Sequence, residues 1–117
     1  MSERDHQAAT VLTIGGELDV AASPSFSERL NEIIRQKSGD VVIDLRRVSF
    51  VDSTGLAVLL NALRRLTRAR RRMAVVIGEG AVRRAFDVTR LHWTFEVFPD
   101  VDSALARSQG GQAAATG

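Results

Sequence analysis

The chain has 117 residues, a formal net charge of +2, no cysteine and only 5% aromatic residues. That length supports one domain, and the lack of thiols excludes disulfides and thiolate metal sites and suits a reducing cytosol. The sequence pI near 10.3 overstates basicity: with no Tyr or Cys and a single lysine, Lys37, almost nothing can lose a proton at moderately alkaline pH.

No apolar run approaches the length of a membrane span, and the first residues lack a secretory pattern. A cytoplasmic protein with no membrane contact is the expectation. So small a net charge does not argue for direct DNA binding.

Residues 1–9 read as a flexible lead or a short edge strand. The polar run from Ser2 to Gln7 suggests fraying, and His6 has no second ligand spaced for a metal. Thr10 to Ile14 is β-branched and predicts a strand, which Gly15-Gly16 should break. Glu17 and Asp19 follow the glycines and read as turn acids. Ser23-Pro24 predicts a helix start with Ser23 as cap and Pro24 at the first helical position. Phe26, Leu30, Ile33 and Ile34 then share one face, and Gly39 ends the helix.

Asp40 to Leu45 predicts a strand covered on both faces. Leu56, Leu59, Leu60, Leu63 and Leu66 form one helical stripe. The segment Asp52-Ser53-Thr54-Gly55 therefore lies where a buried strand hands over to a helix. Ser53 is a candidate N-cap, and a helix start also favours negative charge, including phosphate. Met73 to Ile77 predicts the next buried strand. Strand, helix and strand at this spacing form a βαβ unit with parallel strands. The loop at the carboxyl end of its first strand is where such folds place sites.

Arg64, Arg65, Arg68, Arg70, Arg71 and Arg72 form a cluster at the far end of that helix. It reads as a solvated face, with an acidic protein partner or nucleic acid as the alternatives. Gly78-Glu79-Gly80 is a turn. A short helix should follow over Ala81 to Val88, then a last strand with its edges among Leu91, Trp93, Phe95, Val97 and Phe98. Pro99-Asp100 should start a final helix that buries Val101, Ala104 and Leu105. Residues 10–107 are read as the domain and 108–117 as a disordered tail. Nothing in the chain has the pattern of an enzyme site, a nucleotide-binding loop or a metal site, so no catalytic residue or cofactor is assigned.

The run Val42 to Leu56, read Val-Ile-Asp-Leu-Arg-Arg-Val-Ser-Phe-Val-Asp-Ser-Thr-Gly-Leu, closely resembles the core motif of the STAS domain family. Within it, the match is to stand-alone bacterial anti-sigma-factor antagonists. The resemblance covers roughly Val11 to Ala106 and is most specific over 42–56. It implies an α/β STAS fold, with a four- or five-stranded mixed sheet and flanking helices. Relatives carry a strand before the one at Thr10, so that strand should be short or missing here.

By position the resemblance implies phosphorylation at Ser53. It implies a partner surface formed by Asp52, Ser53, Thr54 and Gly55. The Gly-Glu-Leu-Asp match adds Glu17 and Asp19. The implied function is a regulatory binding module in bacterial transcription. The unphosphorylated form binds an anti-sigma factor, itself a serine kinase, and so releases a sigma factor. A serine phosphatase resets the switch, and the ATP and magnesium belong to the kinase. The alternative is a STAS module without the switch, acting as a transporter accessory subunit or a sensory scaffold.

Overall fold

The computed structural model describes residues 1–107. The tail expectation over 108–117 lies outside the described residues. In chain order the elements are β1 (Ser2–His6), β2 (Ala9–Leu18), α1 (Ser23–Gln36), β3 (Asp40–Val51), α2 (Ser53–Arg68), β4 (Met73–Val76), α3 (Ala81–Val88), a 3-10 turn (Leu91–Trp93) and β5 (Glu96–Phe98). A final helix, α4, runs over 101–107. The five strands form one sheet in the order β1-β2-β3-β4-β5. β1 is antiparallel to β2 and every other pair is parallel.

Alternation along the strands divides the core between the two faces of the sheet. Val41, Ile43 and Leu45 point to the side where Phe26, Leu30 and Ile33 of α1 and Leu59 and Leu66 of α2 pack, with Val82 and Phe86 of α3. Val42 points the other way, with Val11, Ala74 and Val76, and meets Val101, Ala104 and Leu105 of α4. The apolar content of the middle strands thus reflects cover on both sides. Asp44 is a charged group within this buried stretch. Arg46 holds it with two guanidinium hydrogen bonds, Nε to Oδ1 at 3.0 Å and Nη2 to Oδ2 at 2.9 Å.

Several expectations change. Of the two readings of residues 1–9, the structure shows the edge strand and not the frayed lead. The strand joins the antiparallel side of the sheet. Side chains tie it down: Lys37 Nζ lies 3.0 Å from Asp5 Oδ2, and Arg29 Nη1 lies 3.2 Å from Glu3 Oε1. A polar strand can persist at an edge because one side of its ladder and both its faces remain wet. Gly15-Gly16 does not break β2. The strand continues to Leu18 through two register shifts against β3, with Gly16 at φ 81. Glycine takes that positive φ without a steric penalty, so the irregularity is absorbed as a bulge.

Ser23 does not cap α1. It is already helical, Ala22 stands in the cap position, and the Ser23 hydroxyl donates to the Asp19 carbonyl at 2.7 Å. On α2 the fully buried line is Gly55, Leu59, Ala62 and Leu66. Leu56, Leu60 and Leu63 are half-buried beside it. Leu59 and Leu66 of the expected stripe thus hold the contact, and Gly55 and Ala62 complete the line in place of the other leucines. Trp93 belongs to the 3-10 turn and is 73% exposed, outside the last strand.

The arginine cluster is not uniformly solvated. Arg71 donates to the Ile34 and Gly39 carbonyls, each at 2.9 Å, and closes the end of α1. Arg72 pairs with Glu96 on β5.

Candidate functional site

The site grows from the junction of β3 and α2. β3 outruns β4, whose pairing with it stops at Asp44 and Val76. Beyond that point β3 is paired only with β2, as far as Leu18 opposite Val51. The chain then turns at Asp52 and α2 begins at Ser53. The free carboxyl ends of β2 and β3 and the start of α2 therefore share one end of the sheet.

Asp52, not Ser53, is the cap. Its Oδ1 accepts from the Gly55 amide at 3.1 Å and from the Thr54 hydroxyl. Its Oδ2 accepts from the Val20 amide at 3.1 Å. One carboxylate thereby ties the first turn of α2 to the loop between β2 and α1. The Thr54 hydroxyl and the Gly55 amide hold the Asp52 carboxyl below the usual carboxylate range, the Thr54 hydrogen bond contributing most. Aspartate is as good an N-cap as serine, so the motif itself carried this possibility.

Ser53 occupies the first helical position and is exposed. Its hydroxyl makes no hydrogen bond to another described residue, whereas its neighbour Thr54 spends its hydroxyl on Asp52. Gly55 is buried under Leu18.

Of the two upstream acids, Asp19 turns inward on its own loop. Its Oδ1 accepts from the Ala21 and Ala22 amides at 3.1 and 3.0 Å. That is the turn role the sequence allowed. Glu17 is exposed and lies opposite Phe50 in the β2–β3 register. Six sequence-selected positions, Glu17, Asp19, Asp52, Ser53, Thr54 and Gly55, thus gather at one end of the fold.

Sequence reasoning missed two members of this surface. Val20 is 68% exposed and Phe50 46% exposed. Val20 is hydrogen-bonded through its backbone to Asp52, and Phe50 is the residue two before it. Their signal was present, since Val20 follows Asp19 directly and Phe50 lies two residues before Asp52. It was indistinguishable from core patterning until the strand ends were placed.

Neither histidine joins the site. His6 lies on β1, and His92 Nδ1 is 3.3 Å from the Phe86 carbonyl. Among the described residues no group of histidines and carboxylates could hold a metal ion, and no helix is long and apolar enough to cross a membrane.

The chain is similar to known proteins in sequence and in fold. The anti-sigma-F factor antagonist RsfB of Mycobacterium tuberculosis is 31% identical over 108 residues, which span 92% of this chain and 88% of the relative. The anti-sigma-B factor antagonist of Staphylococcus epidermidis is 33% identical over 78 residues, 67% of this chain and 72% of that protein. A crystal structure of an anti-sigma factor antagonist from Mycobacterium paratuberculosis superposes with a TM-score of 0.85 at 28% identity, covering 92% of each chain. The STAS domain matches residues 2–104, from the edge strand into the final helix, and the chain belongs to the STAS domain family.

Proposed function

We propose that this protein is an anti-sigma-factor antagonist whose binding is switched off by phosphorylation of Ser53. The unphosphorylated form binds an anti-sigma factor that is also a serine kinase, and so releases a sigma factor. Glu17, Asp19, Asp52, Ser53 and Thr54 mark the partner surface, with Val20 and Phe50 as its apolar contacts, while Gly55 is buried under Leu18 and seats the helix start behind it. ATP and magnesium come with the kinase, and a serine phosphatase restores the binding form. The protein itself contributes a substrate hydroxyl and a docking face, and works in the cytoplasm without DNA or membrane contact.

The observation that carries this reading is the division of labour between adjacent hydroxyls. Thr54 is committed to Asp52, while Ser53 is exposed and uncommitted at the helix start. A hydroxyl that must enter a kinase site has to be free to leave its own surface. The relatives named as antagonists support the same reading.

The off-switch follows from charge. Phosphorylation adds roughly −1.5 to −2 charges at pH 7. They arrive next to an ionised Asp52. The positive end of the helix dipole and bulk water can accommodate that charge in the monomer. A partner packed on Val20 and Phe50 has to desolvate and repel it, and like charges facing each other in an interface cost several kcal/mol.

The test is incubation with the partner kinase and ATP, followed by peptide mapping. Phosphate is expected on Ser53 alone. Phosphate mainly on Thr54 or Ser49 overturns the assignment.

A further inference from the structure

We propose that the outer flank of the C-terminal half of α2 is a second docking surface. Its occupant is an acidic, leucine-bearing helical segment of a partner protein, bound whatever the state of Ser53.

Leu63, Arg64, Thr67 and Arg68 line an open hollow of about 350 Å³. Leu56, Leu60 and Leu63 run toward and into it at i, i+4 and i+7, each only half-buried. The opposite flank of α2 is covered, since Arg65 reaches Asn31 of α1. The hollow thus lies on the side of the helix that α1 leaves open.

Its charge is uncompensated. From Ser53 to Met73 the sequence holds six arginines and no carboxylate. Arg65, Arg71 and Arg72 are engaged with Asn31, with backbone carbonyls and with Glu96. Arg64 and Arg68 form no ion pair among the described residues, in contrast to Arg29, Arg46, Arg83 and Arg107. The result is an apolar strip beside two adjacent guanidinium groups that form no ion pair among the described residues.

That combination selects its ligand. An aliphatic side chain covers Leu63, and carboxylates along one side of it meet the two arginines, where charge-assisted hydrogen bonds are strongest. Both come together on one face of an amphipathic helix, the usual occupant of such a groove. Nucleic acid satisfies only the arginines and leaves the half-buried leucines uncovered. The exposed aromatic Trp93 offers no stacking platform there, because it lies outside the lining and Arg90 sits over its ring at 5.4 Å. Arg64 is eleven residues along α2 from Ser53, or roughly 16 Å at the helical rise.

The test uses a fluorescein-labelled helical peptide with leucines at every fourth position flanked by glutamates. Its comparators are the same peptide with lysine for glutamate, a DNA duplex, and phosphatidylserine vesicles. The glutamate peptide is expected to bind the full chain, more weakly as salt is added. The double variant Arg64→Glu, Arg68→Glu should lose at least tenfold in affinity while melting at the wild-type temperature. Ser53→Asp should bind the peptide as the wild type does. No binding of the glutamate peptide, equal binding of the lysine peptide, or undiminished binding by the double variant overturns the proposal. So does tighter binding to DNA or vesicles that the double variant loses. Phosphorylation of Ser53 is measured separately, so either proposal can fail without the other.

Discussion

Gly55 lies so close to Leu18 that a Cβ on it would sit 2.6 Å from the Leu18 carbonyl oxygen and 3.1 Å from the Leu18 Cβ. The same carbonyl accepts from the Asp52 amide at 3.2 Å. The start of α2 is therefore seated on the end of β2, and the seat has room only for hydrogen. In an ordinary helix interior Gly→Ala stabilises by up to about 1 kcal/mol. Here overpacking against backbone works against that gain, at a typical cost of 1–3 kcal/mol. Gly55→Ala is expected to lower the melting temperature and to displace the Val20 and Asp52 amide signals. A melting temperature at or above wild type would show that the contact yields without cost.

Asp52 joins two segments whose contacting residues are 32 positions apart. Asp52→Ala removes the cap on Gly55 and the anchor for Val20 together. The melting temperature should fall by a few degrees, as for loss of one cap in a domain of this size. More specifically, the Val20 and Gly55 amides should exchange faster with solvent while the Ile43 and Val75 amides stay protected. Uniformly faster exchange would mean that Asp52 supports the whole fold rather than this junction.

How much of this was readable in the sequence depends on the range of the interaction. Helices and buried strands followed from periodicity, because Phe26, Leu30 and Ile33, or Val41 to Leu45, report their own local geometry. The cluster around Ser53 was legible through its motif and through its place after a buried strand. What stayed hidden depends on partners distant in the chain. β1 looks frayed until Lys37 and Arg29 are known to hold its acids. Arg71 looks solvated until the end of α1 is placed beside it. Local propensity left Asp52 and Ser53 as equal cap candidates, and the tie from the other Asp52 oxygen to the Val20 amide is what no local pattern shows.

Asp44 is the buried charge of the sheet, and its pKa governs part of the acid limb of stability. Burial pushes that carboxyl up, but the hydrogen bonds and charge of Arg46, with help from Arg47, outweigh it and leave it below the ordinary value. A carboxyl lowered by folding adds stability above its unfolded pKa, about 3.9. That contribution is lost as pH falls through the folded value. Asp44→Asn should therefore be less stable than wild type at pH 7, and the gap should shrink below about pH 4. Urea midpoints at pH 7 and pH 3 check this. Asp5, Asp52 and Asp100, also lowered, titrate in both proteins and cancel in the comparison. Arg46→Ala leaves the buried carboxylate short of donors and should cost about 1–3 kcal/mol at pH 7, moderated by water because Arg46 is half exposed. A gap that stays constant with pH would mean Asp44 titrates alike in both states.

Ser53 gives the sharpest separation of stability from function. With Asp52 as the cap, the serine hydroxyl supports no fold contact among the described residues. Ser53→Ala should then shift stability by no more than about 0.5 kcal/mol, as for an ordinary surface change. Ser53→Asp places a carboxylate at a helix start, which is favourable, yet beside Asp52, which is not. These oppose each other, so its stability should also stay near wild type. Binding should separate the two. Alanine keeps the surface neutral and cannot be phosphorylated, so it should hold the kinase permanently. Aspartate adds one negative charge where phosphate brings nearly two, so it should weaken the complex only in part, on the order of tenfold. Melting temperatures and partner affinities for both variants decide the matter. Equal affinity for the two would remove charge at position 53 as the switch. A large loss of stability in the alanine variant would instead show that the hydroxyl has a structural partner and that Asp52 does not cap the helix alone.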